Sequence, residues 1–103
     1  MRLVFRPEAM EEILEARAWY DARSPRLGDQ CARSADAAIR AARQLPLTHP
    51  PLERGYRHVI LRRFPYSIIY LPGESELLVV SCFHHKRRPF SWRNHSGPGD
   101  TVD

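Results

Sequence analysis

The sequence predicts an α+β domain, an antiparallel helix hairpin packed on one face of a small, mainly antiparallel four-stranded sheet, and three observations carry that expectation. Two stretches, Pro7 to about Arg23 and Leu27 to Leu45, repeat their apolar residues three and four apart, which is helical spacing. Three short runs rich in β-branched and aromatic residues follow residue 55, joined by turns so short that neighbouring strands must be antiparallel. A connector with Pro50-Pro51 and Gly55 separates the helical part from the sheet part.

Taken in order, Arg2-Leu3-Val4-Phe5 is a short apolar start that reads as a first strand. Pro7 suits the first turn of a helix, where its missing N–H does no harm, and Glu8, Glu11 and Glu12 complement the positive end of the helix dipole. Ala9, Met10, Ile13, Leu14, Ala16 and Tyr20 form the expected apolar face of this helix. Ser24-Pro25 ends it and opens the next, with Ser24 as N-cap and Pro25 at the first helical position. In the second helix Leu27, Cys31, Ala35, Ala38, Ala42 and Leu45 make a seam beside Ile39. Its small residues imply close approach to the first helix folded back on it. Pro46 stops the seam. Strands are expected at about Tyr56 to Leu61, Tyr66 to Leu71 and Glu76 to Phe83. Their runs are apolar throughout rather than alternating, so both faces of the sheet should be partly covered, one of them by the helix pair.

At 103 residues the chain can bury the core of one domain without disulfides or metal. Cys31 and Cys82 lie in different elements with no metal-ligand spacing, and read as small buried hydrophobes of a reducing compartment. No apolar run approaches the roughly 20 residues of a membrane span, and the N-terminus lacks the apolar core of a signal peptide. A cytoplasmic protein is expected, with no membrane partner, no metal and no cofactor.

The formal net charge of +4 is unevenly spread. Residues 1–53 carry eight arginines against eight carboxylates, whereas residues 54–95 carry seven arginines and Lys86 against Glu74 and Glu76 alone. A basic C-terminal half points to an anionic partner, nucleic acid or an acidic protein segment. The preference for arginine suits bidentate contacts with phosphate or carboxylate, although GC-rich coding also enriches arginine.

The cations cluster with aromatic residues at the strand ends, in Arg62-Arg63-Phe64-Pro65-Tyr66 and in Phe83-His84-His85-Lys86-Arg87-Arg88-Pro89-Phe90-Ser91-Trp92. As a binding surface these segments offer Arg57, Arg62, Arg63, Tyr66, Lys86, Arg87, Arg88, Phe90 and Trp92 for an acidic partner or target, with Trp19 as a further exposed anchor and Tyr20 in the core. As an RNA-cleaving centre they would supply His84 or His85 as acid or base, and Arg62 and Arg87 to neutralise the phosphate. Adjacent residues of a strand point to opposite faces, so at most one of His84 and His85 can serve a given site. Cys82 has no activating base implied nearby and reads as a structural thiol.

Ala18-Trp19-Tyr20 late in the first helix, Ser24-Pro25-Arg26-Leu27-Gly28 opening the second, Arg62 to Tyr70, and Phe83-His84 to Trp92 stand in an order and spacing that resemble the RelE/ParE superfamily of toxins, in its plasmid-stabilisation, ParE-like branch. The resemblance spans about Arg2 to Trp92, so residues 1–93 are expected to be the toxin domain and residues 94–103 a disordered tail. It implies a type II toxin that inhibits growth and is neutralised, in a toxin–antitoxin hetero-oligomer, by an antitoxin whose acidic C-terminal segment wraps over it. Members similar to ParE poison DNA gyrase, while members similar to RelE cleave mRNA on the ribosome. The ribonucleases usually place an arginine just after the aromatic residue that opens the third strand, where this chain has Ser67. They also often carry tyrosine or histidine near the C-terminal tail, where this chain has Trp92. Both departures favour a gyrase-binding toxin over a ribonuclease; a non-toxic binding module of the same fold is the third class.

Overall fold

The computed structural model describes residues 1–89 and 91–95, the last two by backbone alone. The expectations for Phe90 and for the tail beyond residue 95 fall outside these residues. Strand β1 (Arg2–Phe5) is followed by helices α1 (Pro7–Asp21) and α2 (Leu27–Gln44), then by β2 (Arg57–Ile60), β3 (Tyr66–Pro72) and β4 (Glu76–His84), with a last 3-10 helix at Ser91–His95. The four strands form one sheet in the order β1-β4-β3-β2. β1 runs parallel to β4, with Arg2 opposite Glu76 and Phe5 opposite Val79, and the other pairs are antiparallel. The helix pair between β1 and the rest is the crossover that a parallel neighbour requires.

Close approach governs the helix hairpin. A Cβ on Gly28 would lie 1.9 Å from Asp21 Oδ1 and 2.7 Å from the Arg17 carbonyl oxygen, so the start of α2 touches the last turn of α1. Along α2 the buried stripe is Gly28, Cys31, Ala35, Ala38, Ile39 and Ala42, nearly the expected seam. Leu45 departs from it and is 59% exposed. Pro46 disfavours helical backbone for the residue before it, and Leu45 leaves the helix with φ -137° and ψ 68°, its side chain turned to solvent.

Two expectations for the helices need correction. Ser24 caps nothing with its side chain: Ser24-Pro25 forms a turn in which the Leu27 N–H donates to the Ser24 carbonyl at 3.0 Å, and α2 starts two residues later than expected. In α1 the buried residues are Ala9, Glu12 and Ala16, with Ile13 and Tyr20 packed beside them, while Met10 and Leu14 are exposed. A helix this close to its neighbours admits methyl groups on the contact stripe, and Met10 and Leu14 lie a rotation of about 100° or more away from it.

Both faces of the sheet are covered, as the unbroken apolar runs imply. The helices pack on Ile68, Tyr70, Leu77 and Val79. On the other face Leu52, Tyr56 and Trp92 cover Ile69 and Val80, with the Tyr56 and Trp92 rings edge to face at 4.9 Å. A register shift at Ile69/Tyr70 against β4 lets Val79 to Cys82 be buried in succession. The buried Tyr70 hydroxyl donates to the Pro46 carbonyl at 2.8 Å, tying the sheet to the end of α2.

Candidate binding site

Glu12 organises the end of the sheet at which the basic residues collect. Its helix position lies three residues from Ala9 and four from Ala16, on the buried stripe, and it is 6% exposed. Ser81 Oγ–H donates to its Oε1 at 2.8 Å, the Cys82 N–H donates to the same oxygen at 3.1 Å, and the Arg87 guanidinium pairs with Oε2. The charge is thus compensated by a cation and two further hydrogen bonds, the condition for burying a carboxylate without a large penalty. Sequence reading assigned Glu12 to the helix dipole and missed this role. The signal was a carboxylate at the spacing of the buried alanines.

Beside this latch a groove of about 670 Å³ runs between α1 and the ends of β3 and β4, lined by Glu12, Glu15, Trp19, Tyr66, His84 and Lys86, with Arg87 at its end. His84 Nδ1 accepts the Lys86 N–H at 3.0 Å, so the neutral ring carries its proton on Nε2. Burial, and then the neighbouring charges of Lys86, His85 and Arg87, hold its pKa below the usual histidine value. Tyr66 meets the His84 ring edge-on at 4.8 Å. Burial first, then Tyr20 and the two cysteines, push the Tyr66 phenol up to about 12, so it is a neutral donor at physiological pH. Trp19 is half exposed at the rim, and Arg23 lies over its indole with the guanidinium carbon 3.1 Å from a ring centroid.

The residues expected to form one catalytic centre do not come together. His85 turns to the opposite face of the sheet, where its Nε2 lies 2.9 Å from Ser67 Oγ in a cavity of about 310 Å³ shared with His58 and Trp92. Arg62 and Arg63 sit in the turn after β2. Arg63 has a left-handed backbone, φ 69°, which breaks the strand, and the Arg62 carbonyl accepts the Ser34 hydroxyl at 2.8 Å. Both line a third depression, between α2 and β2. Of His84, His85, Arg62 and Arg87, His84 and Arg87 share the α1 groove, Arg87 also borders the cavity that holds His85, and Arg62 joins neither.

The residues expected to bind a partner are dispersed as well. Tyr66, Lys86 and Arg87 face the α1 groove, Arg62 and Arg63 the α2–β2 depression, and Arg88 is exposed. Arg57 is folded inward, its Nη1 donating to the His49 carbonyl at 2.7 Å. Trp92 is 3% exposed and belongs to the core of the second face rather than to an open surface. Cys31 and Cys82 are buried as expected, and burial pushes both thiols up, Cys82 to about 12. Among the described residues no group of three or more His, Cys, Asp or Glu side chains is placed to hold a metal, and no helix is long and apolar enough to cross a membrane.

A helix hairpin on a mostly antiparallel β1-β4-β3-β2 sheet is the ParE-like α+β fold. The family model described as "ParE toxin of type II toxin-antitoxin system, parDE" matches residues 3–89, and the chain belongs to that family. A solved chain of the chromosomal ParDE toxin–antitoxin system from P. aeruginosa superposes with a TM-score of 0.71 at 16% identity, over 82% of this chain and 95% of that one, a likeness of fold. No curated protein sequence matches the chain.

Proposed function

We propose that this ParE-family toxin arrests growth by binding a protein target, with DNA gyrase as the first candidate, and that a partner antitoxin neutralises it by laying an acidic C-terminal segment over its basic residues. The charge balance of the α1 groove carries the preference for binding over RNA cleavage. Its two cations, Lys86 and Arg87, stand beside two carboxylates, Glu12 and Glu15, and Arg87 is already paired with Glu12. A phosphodiester entering there would meet no net positive charge, whereas metal-free cleavage depends on cations that stabilise the crowded phosphate. A groove with an indole, a phenol and matched charges suits an amphipathic protein segment instead. The ribonuclease reading keeps one specific support: His84, Tyr66 and Arg87 share this groove, and among the described residues the Nε2–H of His84 has no hydrogen-bond acceptor.

Inducing the toxin in a bacterial host without antitoxin, while mapping mRNA 5′ ends and assaying gyrase supercoiling with the purified chain, tests the proposal. Growth arrest without new 5′ ends, loss of supercoiling, and retained toxicity of His84→Ala are expected. New ends at fixed codon positions that vanish in His84→Ala would replace it with ribosome-dependent cleavage.

A further inference from the structure

The depression between α2 and β2, of about 410 Å³, differs in charge from the α1 groove. Its floor is apolar, with Ala37, Ala41, Ile60 and Phe64, and its rim carries Arg33, Arg62 and Arg63 with no carboxylate among the lining residues. All three arginines are exposed, and no ion pair among the described residues involves them. Arg33 stands on α2 and the other two in the turn after β2. The Ser34 hydroxyl, donating to the Arg62 carbonyl at 2.8 Å, ties these two sides together. Arg26, whose carbonyl accepts the Gln30 N–H at 3.1 Å, lies one helical turn before Gln30 on the same stripe of α2 and lengthens the row of cations. Arg63 adds a separate observation. Its φ of 69° is left-handed, a conformation that suits glycine and strains an arginine. Among the described residues its guanidinium makes no hydrogen bond or ion pair that would offset the strain.

We infer that this depression binds a single-stranded nucleic acid, with phosphates on the arginine rim and a base against the apolar floor. Guanidinium groups pair bidentately with phosphate oxygens, and a cluster of them without carboxylates favours a polyanion. The net positive charge that a phosphodiester lacks in the α1 groove is present here. The floor selects an unpaired strand. A free base can lie on Ile60, which is 60% exposed, whereas a duplex keeps its bases stacked inside and would present phosphates alone. This site lies beyond the proposed protein target and does not depend on it.

The test is fluorescence anisotropy of the full chain with a labelled single-stranded DNA of about 12 nucleotides, within the usual site sizes of single-strand binders. Binding that weakens by about tenfold or more as salt rises from about 0.05 to 0.3 M is expected. Arg33→Ser/Arg62→Ser should weaken it by about tenfold or more at the lower salt. The control Arg2→Ser/Arg43→Ser removes the same charge near β1, at the opposite edge of the sheet, and should change binding by less than about twofold. Arg63→Gly should weaken binding while leaving the urea midpoint unchanged or higher, an opposition that a structural role for this arginine would not produce. Circular dichroism of each variant checks the fold. No binding at the lower salt, or equal losses in the rim and control pairs, would overturn the inference. Tighter binding of the matching duplex, or of a polyglutamate peptide of equal charge, would overturn it too. A chain that binds the strand as expected yet leaves gyrase supercoiling intact would remove the proposed target and keep this site.

Discussion

Glu12 is the residue whose chemistry most constrains the rest. It joins α1 to β4 through Ser81 and Cys82, and to the chain after β4 through Arg87. Replacing it by alanine strands a buried hydroxyl and a buried N–H, each costing about 1–3 kcal/mol when unsatisfied. The ion pair itself adds less, because the Arg87 side chain is 42% exposed and can turn to water. Glu12→Ala should therefore lower unfolding stability by about 2–3 kcal/mol and Glu12→Gln, which keeps an acceptor, by about 1 kcal/mol; urea denaturation measures both. Equal losses in the two variants would mean that charge, not hydrogen-bond satisfaction, holds the latch. The buried carboxylate was legible only as one of several acidic residues in the first turns of a helix. Its partners are about 70 residues away along the chain, as the Glu12–Cys82 separation of 70 records, and no local pattern announces such a contact.

Among the elements, the helix hairpin follows most directly from its residues. Small side chains at Gly28, Cys31, Ala35, Ala38 and Ala42 permit the close approach, and the alanines of α1 answer them. Gly28 is the tightest point, since an added methyl would meet both Asp21, whose side chain can rotate away, and the Arg17 backbone carbonyl, which cannot. Gly28→Ala should cost about 1–3 kcal/mol by forcing the helices apart, despite alanine's better helix propensity. A melting temperature at or above that of the parent would show that the turn at Ser24-Pro25 absorbs the strain. Strand positions were readable to within a residue or so from β-branched runs. The N-terminal strand was also readable, but its parallel partner was not, because pairing between β1 and β4 depends on which way the crossover returns. Met10 and Leu14 were assigned to the core by periodicity alone; packing distance, which favours alanine on a close stripe, decided otherwise.

On the scale of the whole molecule, the sheet separates its histidines. His84 faces the helices, while His58 and His85 face the Trp92 side. Burial lowers the pKa of His58, with His85 adding to the shift, and burial followed by three neighbouring cationic groups lowers that of His84. Below about pH 6.5, where an unfolded histidine binds its proton, the folded chain resists protonation, so the unfolded state holds more protons and stability falls with pH. Above that value the contribution is fully present. The urea midpoint should drop between about pH 7.5 and 5.5, and His58→Gln and His84→Gln should each flatten the drop. A midpoint that rises on acidification would contradict the sign of both shifts.

Residue order alone was enough for the α+β class, the helix hairpin, the antiparallel strands, the buried thiols and the likeness to ParE-type toxins. Those features rest on periodicity, turn chemistry and motifs carried within short stretches of chain. Folding decided which basic and aromatic residues share a surface. The pleat sends His84 and His85 to opposite faces, the turn after β2, with left-handed Arg63, sets the Arg62 carbonyl against Ser34 of α2, and the closing 3-10 turn buries Trp92 against Tyr56. Each is a matter of direction in space, set by backbone torsions and by contacts between distant segments.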